Sequence, residues 1–134
     1  MADLGRSIPY DCDQPLHPIA LAGFRLFNAG EYWHAHEALE AAWKDEPGGI
    51  RYLYQGILQV GVAYLHVQRH NYRGAVKVFL RSQRLLLPFP EVCRGIAVEQ
   101  LRQDAGAVLN EIRRLGSSRI AEFDLSMLKP LTWE

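Results

Sequence analysis

Apolar residues along this chain recur at spacings of three and four, and nowhere with the alternation of a half-buried strand. The pattern predicts five helices. The first opens near Pro18, which suits a first helical turn because it has no amide hydrogen to leave unpaired. It carries Leu21, Phe24, Leu26 and Phe27 on one side, and Gly30 is placed to close it as a left-handed cap. The second runs from about Glu31 to Lys44 and stops before Pro47-Gly48-Gly49. The third, from about Ile50 to Arg69, has Leu53, Ile57, Val60, Tyr64 and Val67 on one side. Arg51, Gln55, Gln59, Val62, His66 and Arg69 fall within about 100° of arc on the other. A helix so widely apolar is expected at the centre of the fold.

Asn71 is a good N-cap for the fourth helix, Gly74-Ala75 offers a flat patch for a close neighbour, and Pro88-Phe89-Pro90 ends it. The fifth, from about Glu91 to Leu115, carries the seam Val98, Leu101, Ala105, Val108, Ile112 and Leu115 of a bundle helix. Residues 1–16, with Pro9 and Pro15, read as an irregular arm. The tail keeps Phe123, Leu125, Met127, Leu128, Leu131 and Trp133, and is expected to pack back. The fold class is therefore all-α: one domain over 1–134, a compact bundle of about five helices with its core at about 18–115.

A faint repeat lies inside this pattern. Gly30-Glu31-Tyr32 and His70-Asn71-Tyr72 stand 40 positions apart, each opening an amphipathic helix. The arrangement is similar to tetratricopeptide-type helix hairpins, although two copies make no solenoid.

Composition narrows the function classes. The chain has 134 residues, long enough for a real core. Lys+Arg and Asp+Glu balance at 15 each, which argues against nucleic acid as a partner, since its binders carry a basic surplus. No apolar run is long enough to span a bilayer, and the first residues lack a signal-peptide core. Cys12 and Cys93 are far apart in sequence and fit no metal-ligand spacing. Read as two thiols, they point to a reducing compartment. The expectation is a soluble cytoplasmic protein, with a homodimer plausible through exposed aromatics and the fifth-helix seam.

Candidate chemistry concentrates on the second helix. At about 100° per residue, Tyr32, Trp33, His36, Leu39, Glu40 and Trp43 share a sector of roughly 120°, expected to face the core. An ionisable pair among buried aromatics is costly unless paired, protonated or metal-bound. Two readings follow. In one, His36, Glu40 and His66 hold a divalent metal ion, Gln55, Gln59 and Arg51 orient ligands or substrate, and Glu37 acts as general base. In the other, His36, Glu40, Gln59 and His66 satisfy one another as a structural hydrogen-bond network.

The run Phe27-Asn28-x-Gly30-Glu31-Tyr32-Trp33-x-x-His36-Glu37-x-Leu39-Glu40-x-x-Trp43, continued by Arg51, Gln55-Gly56, Gln59, His66, Asn71 and Gly74-Ala75, resembles a family of small uncharacterised helical proteins of bacteria and archaea. The resemblance covers about residues 20 to 87. It implies a compact all-α bundle, and some groups of the family carry the label of predicted metal-dependent hydrolases. The family usually has glycine where this chain has His70. The two functional expectations are thus a metal-assisted hydrolase and a non-enzymatic helical interaction scaffold.

Overall fold

The computed structural model describes residues 11–134, so residues 1–10 of the expected arm lie outside it. Five α-helices follow one another among the described residues: α1 (Pro18–Asn28), α2 (Tyr32–Lys44), α3 (Arg51–Gln68), α4 (Tyr72–Leu86) and α5 (Val98–Leu115). α3 is central, as its wide apolar surface requires. Leu53, Tyr54, Ile57, Val60, Ala63, Tyr64 and Val67 are all almost fully buried. Phe24 and Phe27 of α1, Leu39 of α2, Phe79 and Leu86 of α4, and Val108 and Ile112 of α5 complete one continuous core.

The 40-residue echo is a repeated corner. After α1, Gly30 takes φ 79°, its amide donates to the Phe27 carbonyl, and the Glu31 amide donates to Leu26. After α3, His70 takes φ 58°, its amide donates to Val67, and the Asn71 amide donates to His66. Both are left-handed caps with paired reverse hydrogen bonds, followed at once by the next helix. His70 holds a conformation that glycine adopts freely, at a steric cost of about 1 kcal/mol.

Two sequence expectations need correction. The fifth helix begins at Val98, not near Glu91, and the intervening residues form an antiparallel hairpin, β1 (Val92–Cys93) and β2 (Ile96–Ala97). Its two-residue turn, Arg94-Gly95, has φ 52° and 78°. Positive φ at both central residues is the turn that matches strand twist. Ladders of two residues are too short to leave a period-two pattern. The second correction concerns the cysteines. Cys12 and Cys93 form a disulfide, with Cα atoms 4.4 Å apart across 81 positions of sequence. No free cysteine remains, so the thiols give no support to a reducing compartment.

The arm from residue 11 is tied down at several points. The Arg94 amide donates to the Cys12 carbonyl at 2.7 Å, and the Arg94 Nε to the Asp11 carbonyl at 3.0 Å. Arg94 itself is 6% exposed and pairs with Glu46 at 2.9 Å while donating to the Tyr54 hydroxyl. The tail packs back as expected. Asn28 clasps the Leu131 backbone through two hydrogen bonds, Trp133 packs on Phe24, and Ile96 bridges Trp133. No helix among the described residues is long and apolar enough to cross a membrane.

Candidate functional site

The core-facing stripe of α2 is Tyr32, Ala35, Leu39 and Ala42. It is rotated from the stripe expected from the large aromatics. The alanines, easily overlooked beside Trp33 and Trp43, are the residues that let α2 pack close to its neighbours. His36, Glu40 and Trp43 therefore lie on the half-buried flank of α2, and Trp33 is 53% exposed. This removes the large desolvation cost that made the cluster suspect. Glu37 is exposed on a further-rotated face.

What each candidate touches is specific. The His36 ring stacks on Trp33 at 5.1 Å with an interplanar angle of 11°. Its Nδ1 is buried without a hydrogen-bond partner. Among the described residues Glu40 reaches only Lys44, at 3.9 Å, one turn along the same helix. Such a pair contributes well under 1 kcal/mol. Arg51 places its guanidinium carbon 5.3 Å from the Trp43 ring centre. Its Nε is buried and unpaired, and it forms no ion pair with a described carboxylate. Gln55 and Gln59 are half-buried on the same side of α3.

His66 has a different job. Its Nδ1 lies 3.2 Å from the Asn71 side-chain amide nitrogen. The Asn71 carbonyl oxygen accepts the Gly74 amide at 3.0 Å, capping α4. With that oxygen occupied, the amide nitrogen donates to the imidazole, so Nδ1 must be unprotonated. A Cβ on residue 74 would stand 2.7 Å from Asn71 Nδ2 and 2.9 Å from His66 Nδ1. The flat patch read at Gly74 thus admits an imidazole rather than a helix. Burial, with Arg69 nearby, holds the His66 pKa below its usual value.

The geometry does not gather His36, Glu40 and His66. His36 stacks on Trp33, Glu40 reaches Lys44, and His66 is held by Asn71. Among the described residues no group of three or more His, Cys, Asp or Glu side chains could hold a metal ion. The residues thus do not fit the metal ligand set, and no catalytic step is routed through one. The closed network of His36, Glu40, Gln59 and His66 is not formed either, since His66 is engaged by Asn71, Glu40 by Lys44 and His36 by Trp33.

What the candidates share is a half-buried strip on α3. α3 touches α2 through Arg51 and Trp43, and α4 through His66 against Asn71 and through Gly56, whose added Cβ would meet Leu86 at 2.5 Å. The strip Arg51, Gln55, Gln59, Val62 and His66 is half-buried on α3, which packs against both α2 and α4. Two polar groups were not found by reading the sequence for site residues. Arg94 is one, and its only signal was the Arg-Gly turn. The Tyr64 hydroxyl is the other. It is buried without a partner among Phe27, Tyr32 and Phe79, and burial with Asp104 nearby raises its pKa strongly. An apolar helix gives no sign of which aromatic is a tyrosine in difficulty.

The comparisons cover the part of the chain that carries this strip. A protein of Bacillus subtilis (strain 168), described as "Uncharacterized protein YpuF", is 36% identical over 80 residues. That alignment takes in 59% of this chain and 43% of the relative, so the chain spans less than half of that protein's length. Residues 20–78, from α1 into α4, match the model of the family described as "Domain of unknown function (DUF309)", and this segment is similar to that family.

Proposed function

We propose that this chain is a non-enzymatic helical interaction module that binds a partner along the half-buried strip of α3 and the adjoining flank of α2. The observation that carries the reading is Arg51. Its guanidinium is stacked on Trp43 with Nε turned inward, and no described carboxylate pairs with it. A stacked guanidinium keeps its outer nitrogens in a fixed fork, ready for a planar acceptor. Trp33 and His36, stacked at the surface of the same flank, supply aromatic area of the kind that anchors interfaces. Gln55 and Gln59 add amide donors and acceptors between the two. A metal-hydrolase reading needs His66 beside His36, and a break in the Asn71 cap to free its nitrogen.

The reading is tested by affinity capture from the native host, comparing the wild-type chain with Trp33→Ala and Arg51→Ala. One partner held by the wild type and lost by both variants, at unchanged melting temperature, supports it. Equal capture by all three would refute it. So would stoichiometric zinc, manganese or iron with hydrolytic turnover that disappears in His36→Ala.

A further inference from the structure

A second surface runs along the exposed face of α4. Arg73, Lys77, Arg81 and Arg84 follow one another at spacings of four, four and three, which places them within about 80° of arc. All four are exposed. α4 holds no aspartate or glutamate, and none of the four pairs with a described carboxylate. The ridge is about 16 Å long at the helical rise. In a chain whose formal charge sums to zero, four uncompensated cations in one row are a local excess that the total conceals.

An apolar pocket adjoins this ridge. It lies between α4 and α5, with a volume of about 530 Å³, and is lined by Leu80, Leu86, Leu87 and Ala105 together with the polar Ser82, Gln83, Arg84 and Arg102. Leu80 is 37% exposed and Leu87 is 76% exposed. A leucine so open beside a pocket large enough for one or two apolar side chains marks a contact surface more often than a packing accident. Arg102, on the far side, is occupied by Glu99 and by the carbonyls of Leu86 and Phe89. The free positive charge is therefore all on the α4 side.

We propose that this surface binds an acidic peptide segment, with one or two large apolar residues of the segment seated in the α4–α5 pocket and its carboxylates along the Arg73–Arg84 ridge. Three features select this occupant. Cations spread over about 16 Å suit several carboxylates better than one lipid or fatty-acid head group. An extended peptide repeats a side chain on one face about every 7 Å, close to the 6 Å between successive ridge cations. The apolar part of the pocket wall is aliphatic, with no aromatic ring on which a base could stack, so a nucleic acid would leave it unused. Its residues are distinct from those of the α3 strip, and neither proposal requires the other.

The test selects a random peptide library on the full chain and measures the enriched peptides by fluorescence anisotropy. Enriched sequences should be acidic and carry leucine, isoleucine, phenylalanine or tryptophan. Their affinity should fall by about tenfold or more in Lys77→Glu/Arg81→Glu, and fall with added salt, because exposed charges are screened over about 8 Å at physiological ionic strength. Leu87→Ser should weaken binding without changing the salt dependence. All three residues are exposed, so unchanged circular dichroism melts are expected and serve as the folding control. The proposal is overturned by no enrichment, by neutral or basic sequences, or by binding indifferent to the double charge reversal. It is equally overturned if oligothymidylate or a long-chain carboxylate displaces the peptide at lower concentration, or if the surface proves to be a contact between two copies of this chain.

Discussion

Replacing Asn71 with alanine tests the role assigned to His66. The substitution removes the acceptor for the Gly74 amide, 3.0 Å away, at the first turn of α4. Loss of an N-cap of this kind costs about 1 kcal/mol. The donor to His66 Nδ1 goes with it, but that imidazole is only half-buried and water can replace the bond. The expected loss is therefore close to the cap alone, a fall of about 3 °C in melting temperature for a chain of this length. Urea denaturation followed by circular dichroism at pH 8 measures it.

The pH dependence adds a second arm. Burial and Arg69 lower the folded-state pKa of His66, so between about pH 6.5 and that lower value the unfolded chain binds more protons than the folded one. The His66 contribution is then fully present above about pH 6.5 and is lost as pH falls towards the folded pKa. Subtracting the profile of His66→Ala isolates it. Asn71→Asp keeps an oxygen for the cap and places a carboxylate against the imidazole, so the His66 pKa, followed by proton NMR, should rise above its wild-type position. Unchanged stability in Asn71→Ala, together with an unmoved His66 titration in Asn71→Asp, would refute the capping arrangement and return His66 to the list of unassigned site residues.

Gly56→Ala should destabilise by about 1–2 kcal/mol, since overpacking against Leu86 at 2.5 Å costs about 1–3 kcal/mol and the helix regains up to about 1 kcal/mol from alanine. In a Leu86→Ala background the same change should become neutral or stabilising, and additive effects in chemical denaturation would contradict the packing. Tyr64→Phe should leave stability unchanged or raise it by up to about 1 kcal/mol, because it deletes a buried hydroxyl with no partner; a clear loss in the melt would mean that the hydroxyl is engaged. Cys12→Ser should lower stability by about 2–5 kcal/mol under oxidising conditions, as the bridge closes a long loop. Adding reductant should bring the wild type down to the variant, and a melt insensitive to reductant would show the thiols unpaired.

Helix identity and order were legible along the chain because each helix has a long amphipathic pattern and strong punctuation. Pro18, Gly30, Asn71 and Pro88 mark ends whose chemistry is local. The central place of α3 followed from its own composition. So did the repeated corner at Gly30 and His70, where the identity of a few neighbouring residues fixes the turn. The row Arg73, Lys77, Arg81 and Arg84 was equally readable as a period, and summing the charge over the whole chain hid it.

Tertiary structure decided the rest. The rotation of α2 depended on Ala35 and Ala42, whose small size counts only once a neighbouring helix is close. The pairing of Cys12 with Cys93 and the engagement of His66 by Asn71 depend on where the chain doubles back, which spacing alone cannot fix. A side chain's type and period say which face it belongs to. What that face meets is settled by the packing of separate helices, and this is why the fold could be read from the sequence while the grouping of His36, Glu40 and His66 could not.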